Sequence, residues 1–171
     1  RLSGRGNERA FGILYQRHRG SVFRFALHMS GRKELAEEVT QEVFLALIRE
    51  PRQYRPQRGS LQGFLIGIAR NKMRRHLGRR ASGLDQVETR VSVPDPFDSY
   101  SKKDEARALH AAILTLPPRY REIIVLCDLE EMDCAEAGRL LGCVAGTVKS
   151  RLHRARNLLG AKLRIREKCS V

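Results

Sequence analysis

The chain has 171 residues, of which 33 are Lys or Arg and 19 are Asp or Glu, so its formal net charge is +14 while 42% of its residues are apolar. This apolar fraction excludes an intrinsically disordered chain, and the positive charge favours a polyanionic partner. No apolar run approaches the roughly 18 residues of a membrane span, and no charged-then-apolar export signal opens the sequence. The sequence predicts a cytoplasmic protein without membrane insertion.

The charge is unevenly distributed along the chain. Residues 1–78 carry 16 basic and 6 acidic side chains, residues 79–104 carry 5 of each, and residues 105–171 carry 12 and 8. The middle stretch also holds Pro94, Pro96 and four serines without a sustained apolar period, which is typical of a linker. We therefore predict two small basic domains, residues 1–78 and 105–171, joined by a flexible linker over residues 79–104.

Both predicted domains show helical periodicity. In the first, apolar residues recur at three- and four-residue steps in three segments: Phe11, Leu14, Tyr15, Val22, Phe25 and Met29; Leu35, Val39, Val43 and Leu47; Leu61, Leu65, Ile68 and Ala69. In the second, Leu109, Ile113 and Leu116 indicate a helix that stops at Pro117-Pro118, a pair able to open the next helix. Residues 123–126, taken alone, also fit a β-strand. The predicted fold class is all-α.

A helix-turn-helix pattern lies near the C-terminus. Asp133 followed by Glu136 is a capping box, which opens a short helix ending at Leu140-Leu141. Gly142 supplies the turn, and a second helix runs from about Val144. Its buried stripe comprises Val148, Leu152, Ala155, Leu159 and Leu163, and its opposite face comprises Lys149, Ser150, His153, Arg154 and Asn157. This outer face offers donors that read guanine and phosphate in a major groove, although on an isolated helix it would be a solvated basic face.

Two sets of motifs resemble the extracytoplasmic-function sigma factors of the sigma-70 family. Residues 146–156, preceded by Leu116-Pro117 and Arg121-Glu122, resemble region 4 of that family. Residues 36–45 resemble its region 2 helix, and residues 58–71 resemble the loop and helix that follow. The chain departs from the family pattern at Ala137 and Gly138, where a large aliphatic residue and Ala are usual, and at Phe64, where Trp is common. The glycine predicts packing looser by about 1 kcal/mol.

The resemblance implies a promoter-specificity subunit that binds core RNA polymerase and promoter DNA. It places polymerase docking on one arc of the second helix, formed by Glu34, Glu37, Glu38, Gln41, Glu42 and Leu45, which points away from the buried residues of that helix. We call this set the acidic stripe. Without the resemblance, the stripe is a solvated helix face whose glutamates suit the N-terminal turns. The last predicted helix would read an upstream promoter element.

The same resemblance implies that the loop after Pro51 and the next helix hold an extruded base of a downstream promoter element. The candidates are Tyr54, Ile68, Arg70, Asn71 and Arg74. A short loop with one aromatic ring and several donors suits stacking and hydrogen bonding to a flipped base, while nearby cations hold phosphates. A competing interpretation makes Tyr54 a loop anchor, Ile68 a core residue and Asn71 a surface residue. Both interpretations stay open at this point.

Other function classes receive less support. Cys127, Cys134, Cys143 and Cys169 match neither paired zinc knuckles nor a disulfide framework, so we predict idle thiols, with metal or redox sensing as the alternative. Catalytic residues, a metal site and a cofactor are not predicted, and a metal-dependent nuclease is disfavoured because Asp, Glu and His are not clustered at coordinating spacing. A stand-alone helix-turn-helix repressor or activator is the regulatory alternative. An anti-sigma factor is a further partner that the resemblance implies, and no obligate homo-oligomer is expected.

Overall fold

The structure is a computed structural model that describes residues 6–81 and 100–169. These residues are helical or lie in turns, with no strand among them, so the all-α prediction is confirmed. The chain divides into two compact units, Arg1–Thr89 and Arg90–Val171. Residues 79–81 and 100–104, at the two ends of the predicted linker, are helical, and residues 82–99 lie outside the described ranges. The domain boundaries drawn from the sequence stay a prediction.

The N-terminal unit is built from three helices that all pack against one another. They are α1 (Gly6–Ser30), α2 (Lys33–Arg49) and α3 (Leu61–Ala81). The chain passes from α1 to α2 at Gly31, whose φ of 70° lies in the left-handed region that glycine adopts without strain. Two short 3-10 turns, Pro51–Gln53 and Pro56–Arg58, connect α2 to α3. This arrangement places α2 and α3 side by side, each with one face in the core.

The core of this unit contains part of the periodic apolar set that the sequence indicates, whereas Leu14, Leu61 and Ile68 are only half-buried. The most deeply buried side chains include Val22, Phe25, Val39, Val43, Leu65, Ile66 and Met73. The rings of Phe11 and Tyr15 both meet Phe44 edge to face, with centroid distances of 6.3 and 4.7 Å, and so join α1 to α2. Burial on one side fixes which residues of α2 and α3 face outward.

The C-terminal unit contains α4 (Tyr100–Leu114), α5 (Pro118–Ile124), α6 (Cys134–Leu141) and α7 (Ala145–Cys169), and α7 packs against the other three. A π-helical turn, Val125–Leu129, continues α5. Residues 123–126 are therefore helical, and the strand alternative for them is wrong. All four of these side chains are buried, so the continuous apolar run reflects a helix enclosed by its neighbours.

Arg121 connects the end of α4 to α5. Its Nη2 atom donates hydrogen bonds to the carbonyl oxygens of Leu114 and Leu116. Helix ends leave their last carbonyls without intrahelical donors, and this side chain supplies donors there. Nearby on α4, His110 is buried, and burial together with the charge of Arg121 lowers its pKa below 6.5. Where α4 packs against α5, His110 is therefore neutral and lies near the charged Arg121.

Gly138 brings α6 into close contact with the turn that follows it. A Cβ atom at this position would lie 2.5 Å from the carbonyl oxygen of Cys143. The N–H group of Cys143 donates to the Gly138 carbonyl oxygen at 2.9 Å, which holds the two backbones together. The sequence predicted looser packing from this glycine. The structure instead shows that the missing side chain permits a closer approach.

Substitution of Gly138 by Ala tests this contact. We expect Gly138→Ala to lower the free energy of unfolding by about 1–3 kcal/mol, because the backbone of the turn must move to admit the new methyl group. Gly160→Ala is the matched control, since the nearest atom to its Cβ would be Arg164 Nη1 at 3.8 Å. That variant gains helix propensity and should be more stable by up to about 1 kcal/mol. Urea denaturation followed by circular dichroism measures both, and equal stabilisation by the two substitutions would contradict the close contact.

Candidate polymerase and nucleic-acid interfaces

The helix-turn-helix forms as its sequence pattern predicts. Asp133 caps α6, because its Oδ1 atom accepts hydrogen bonds from the N–H groups of Ala135 and Glu136, both at 2.8 Å. The bond from Glu136 is the main reason why the pKa of Asp133 lies below its usual value. Gly142 ends α6 with φ 69° and ψ 37°, in the left-handed region. The cap, the turn glycine and both helices are confirmed.

The outer face of α7 carries the predicted DNA-reading residues. Lys149, Ser150, His153, Arg154 and Asn157 are all exposed. On the opposite side, Val148, Leu152 and Ala155 are buried, while Leu159 and Leu163 are half-buried. The Ser150 hydroxyl donates to the Thr147 carbonyl oxygen at 3.0 Å, within the first turns of the helix. The structure therefore brings the five residues onto one accessible face, and their contact with DNA stays a prediction.

An ion pair that sequence reasoning missed holds α7 to the rest of the unit. Arg156 donates from Nε and Nη2 to the two carboxylate oxygens of Asp128, at 3.0 and 2.6 Å. Asp128 lies in the π-helical turn after α5, so this two-point contact joins that turn to the side of α7. The same hydrogen bond, followed by the charge of Asp128, raises the pKa of Arg156. Nothing in the local sequence around either residue signals the pairing.

The acidic stripe lies on the outer side of α2, with one exception. Glu34, Glu37, Glu38, Gln41 and Leu45 are exposed, and the buried side of the helix is formed by Leu35, Ala36, Val39, Val43 and Leu47. Two apolar side chains extend the surface toward the end of α2, where Leu45 is 42% and Ile48 is 49% exposed. The face therefore combines carboxylates near the start of the helix with exposed aliphatic groups near its end.

Glu42 is the exception. Its carboxylate oxygens lie 3.0 Å from Lys72 Nζ and 3.6 Å from His76 Nε2, both on α3. The sequence placed this side chain on the outward arc of α2 but did not show that α3 packs along that edge of the helix and presents basic groups to it. One oxygen each of Glu38 and Glu42 and a ring nitrogen of His76 also lie within 4.8 Å of one another. The sequence did not predict this cluster, since its two halves come from different helices.

The loop between α2 and α3 places Tyr54 against Phe64. The two ring centroids are 5.5 Å apart, and the Tyr54 hydroxyl donates to the Gly59 carbonyl oxygen at 3.5 Å. These contacts are the ones that the loop-anchor interpretation describes. On α3, Ile68 and Arg70 are half-buried, whereas Asn71 and Arg74 are exposed.

A basic cleft of about 730 Å³ lies beside this loop. Its lining residues are Arg49, Glu50, Pro51, Arg52, Gln53, Arg55, Arg58 and Phe64, so they include neither Tyr54 nor Ile68 nor Asn71. Sequence reasoning missed these arginines as site residues, although their recurrence every three residues through the loop was a visible signal. The cleft combines four cationic groups with one aromatic ring.

The cysteines contribute little to either surface. Cys127, Cys134 and Cys143 are reduced and half-buried, and the side chain of Cys169 lies outside the described part. Burial and the neighbouring Cys134 thiol raise the pKa of Cys127 to about 11. A thiol with this pKa stays protonated near neutral pH, which disfavours a sensing role for Cys127.

Comparisons with known proteins agree with this arrangement. The models for sigma-70 region 2 and sigma-70 region 4 match residues 14–83 and 106–159. RNA polymerase sigma factor CarQ from Myxococcus xanthus is 33% identical over 165 residues, which cover 91% of this chain and 92% of CarQ. ECF RNA polymerase sigma factor SigE from Mycolicibacterium smegmatis is 38% identical over 152 residues, covering 85% of this chain but 58% of SigE. The chain thus spans little more than half the length of SigE.

Two solved structures share the fold. Sigma factor RpoE from Bartonella quintana, in complex with the anti-sigma factor NepR, matches with a TM-score of 0.77 and 23% identity over 91% of this chain and 98% of that chain. CnrH, in complex with the cytosolic domain of CnrY, matches with a TM-score of 0.70 and 28% identity. The match covers 94% of this chain and 91% of the CnrH chain. Within the described residues, no helix is long and apolar enough to cross a membrane. Its two matched regions and its relatives place this chain in the extracytoplasmic-function group of the sigma-70 family of RNA polymerase sigma factors.

Proposed function

We propose that this chain directs RNA polymerase to specific promoters. In this proposal α2 docks on the core enzyme, α7 reads an upstream promoter element, and the loop before α3 holds the opened downstream element. The chain itself performs no covalent chemistry. The observation that carries the proposal is the presence of two accessible helix faces of opposite character, an acidic and apolar face on α2 and a basic face on α7, in a chain with a net charge of +14.

The α7 face suits recognition of duplex DNA. Lys149 and Arg154 carry the charges, and Ser150 and Asn157 add neutral donors and acceptors. A guanidinium can donate two hydrogen bonds to one guanine in a fixed geometry, whereas the ammonium of a lysine can contact a phosphate without that geometric requirement. The two-point contact between Arg156 and Asp128 adds a directional restraint to the packing of α7. We therefore assign sequence reading to Arg154 and general DNA affinity chiefly to Lys149.

The α2 face suits a protein partner more than DNA. Its carboxylates repel phosphates, while the exposed Leu45 and Ile48 offer apolar area that a protein surface can cover. A partner with basic side chains around an apolar centre complements this face. Core RNA polymerase is the partner that the family membership indicates.

The basic cleft and the exposed end of α3 suit single-stranded DNA. Arg49, Arg52, Arg55 and Arg58 surround the cleft and can hold phosphates, and the Phe64 ring provides an apolar surface. Asn71 and Arg74 lie exposed on the adjacent helix. We propose that the strand follows the cleft toward Asn71, with Tyr54 shaping the loop as well as bordering the bases.

A regulatory protein could bind the same exposed faces of α2 and α7. CnrH, with 28% identity, is bound to the cytosolic domain of CnrY in its solved structure. We propose that an anti-sigma factor likewise covers this chain in the cytoplasm and blocks its docking faces. The proposal requires no obligate homo-oligomer, because the chain binds one polymerase and one promoter.

The α7 assignment is tested by Arg154→Ala and Lys149→Ala, two exposed positions where truncation leaves the core intact. Run-off transcription on a panel of promoter variants at two salt concentrations is the measurement. We expect Arg154→Ala to relax selectivity within the upstream element by about 1–3 kcal/mol, and Lys149→Ala to weaken all promoters and reduce the salt slope by about one. Arg119→Ala, which removes an exposed arginine of α5, is the control. Unchanged selectivity and salt dependence in both α7 variants would show that this helix is not the reader.

The α2 assignment is tested by the double variant Glu38→Lys, Gln41→Lys. Both side chains are exposed, so we expect helical content to be preserved and co-purification with core polymerase to fall at least tenfold. The pair Glu8→Lys, Gln16→Lys makes the same charge change on exposed positions of α1 and should still bind. Glu42 is left intact, since a lysine there would face Lys72 and disturb the fold. Wild-type binding by the α2 variant would place the docking surface elsewhere.

A further inference from the structure

We propose that Glu38, Glu42 and His76 form a binding site for a borderline divalent cation, with Zn²⁺ as the best match, at the edge between α2 and α3. Glu38 and Glu42 are one helical turn apart on α2, so their carboxylates lie one above the other. His76 reaches the same point from α3, and its Nε2 lies 3.6 Å from Glu42 Oε1. One ligand atom from each residue lies within 4.8 Å of the other two.

The chemistry of the ligands selects the class of metal. Two carboxylates with one imidazole are typical donors for Zn²⁺, Co²⁺ and Ni²⁺, whereas Mg²⁺ and Ca²⁺ prefer oxygen ligands alone. Bond lengths of about 2.0–2.2 Å in a tetrahedral site require the ligand atoms to be about 3.4 Å apart. The ligand atoms must move closer to reach that separation, and the side chains have room to do so because Glu38 is exposed and the other two residues are half-buried. A water molecule would complete the coordination on the open side.

Lys72 tunes the affinity of the proposed site. Its ammonium lies 3.0 Å from Glu42 Oε2, so the carboxylate already holds a cation. A metal ion must displace this ammonium from the carboxylate. The Lys72 side chain is 30% exposed, so the displaced ammonium can turn toward solvent. Lys72 therefore weakens metal binding without preventing it.

Occupation of the site would alter the acidic stripe. This step depends on the proposed docking function, whereas the metal site itself does not. A bound Zn²⁺ neutralises two of the stripe carboxylates and ties α2 to α3. Metal and core polymerase then compete for Glu38, and by linkage each lowers the affinity of the other by the same factor.

The test uses the full chain, freed of metal with a chelator and titrated with Co²⁺, whose visible absorption reports coordination. Thiolate ligation adds an intense near-ultraviolet band, so binding by the cysteines is seen separately. We expect one Co²⁺ bound without that band, and affinity lowered about tenfold or more by His76→Gln or Glu38→Gln. Lys72→Met should tighten binding, and Glu34→Gln, an exposed glutamate outside the cluster, should leave it unchanged. Wild-type affinity in both His76→Gln and Glu38→Gln, or a signal due only to thiolate, would overturn the site.

Zn²⁺ is then added to the complex with core polymerase. Loss of core binding in the wild type, but not in His76→Gln, supports competition at the stripe. Metal binding without any effect on core binding would leave the metal site intact and count against α2 as the docking surface. Different experimental results would therefore contradict the metal site and the docking surface on α2.

Discussion

Burial of one face of α7 is the constraint on which the rest of the C-terminal unit depends. Val148, Leu152 and Ala155 fill the space between α4, α5 and α6, which forces the opposite face into solvent. Hydrophobic burial fixes which side of a helix faces outward, but a smooth apolar stripe tolerates small rotations. The contact between Arg156 and Asp128 is directional and restricts that rotation. Packing of the buried face sets the side of α7 on which Arg154 lies, and the ion pair reinforces it.

In the N-terminal unit, α2 likewise has one buried face and one exposed face, but its exposed face is acidic. The buried face of α2 leaves its carboxylates outside, and α3 then divides them into two groups. Glu42 is drawn to Lys72 and His76, while Glu34 and Glu38 remain accessible. The stripe is thus a surface in which part of the charge is already neutralised within the protein. That division leaves Glu34 and Glu38 as the carboxylates most available to a protein partner.

Periodicity and capping were sufficient to predict most of the fold. The helices, the Asp133 cap and the Gly142 turn follow from local rules that hold wherever the segment is placed. Exposure of the five DNA-reading candidates followed as well, because the periodicity of a helix fixes opposite faces at once. The motif resemblance supplied the functional roles, which periodicity alone does not contain.

The features that sequence reasoning missed or misjudged depend on contacts between separate structural elements. The pairing of Glu42 was missed because its position on α2 alone does not show that α3 carries Lys72 beside it. The consequence of Gly138 was misjudged because helix propensity is local, whereas the contact with Cys143 depends on the path of the turn. Tyr54 could be interpreted in two ways until its ring was found against Phe64. Tertiary packing decides such cases.

Reconstituted transcription shows directly whether this chain directs RNA polymerase to promoters. Core RNA polymerase, with and without the full chain, is supplied with a library of genomic promoter fragments, and run-off transcripts are sequenced. Our expectation is initiation at a small set of sites that share two spaced elements, and only when both core polymerase and the chain are present. Tight binding of the chain alone to a promoter duplex, with no transcripts that depend on the chain, would contradict it and favour a stand-alone helix-turn-helix regulator.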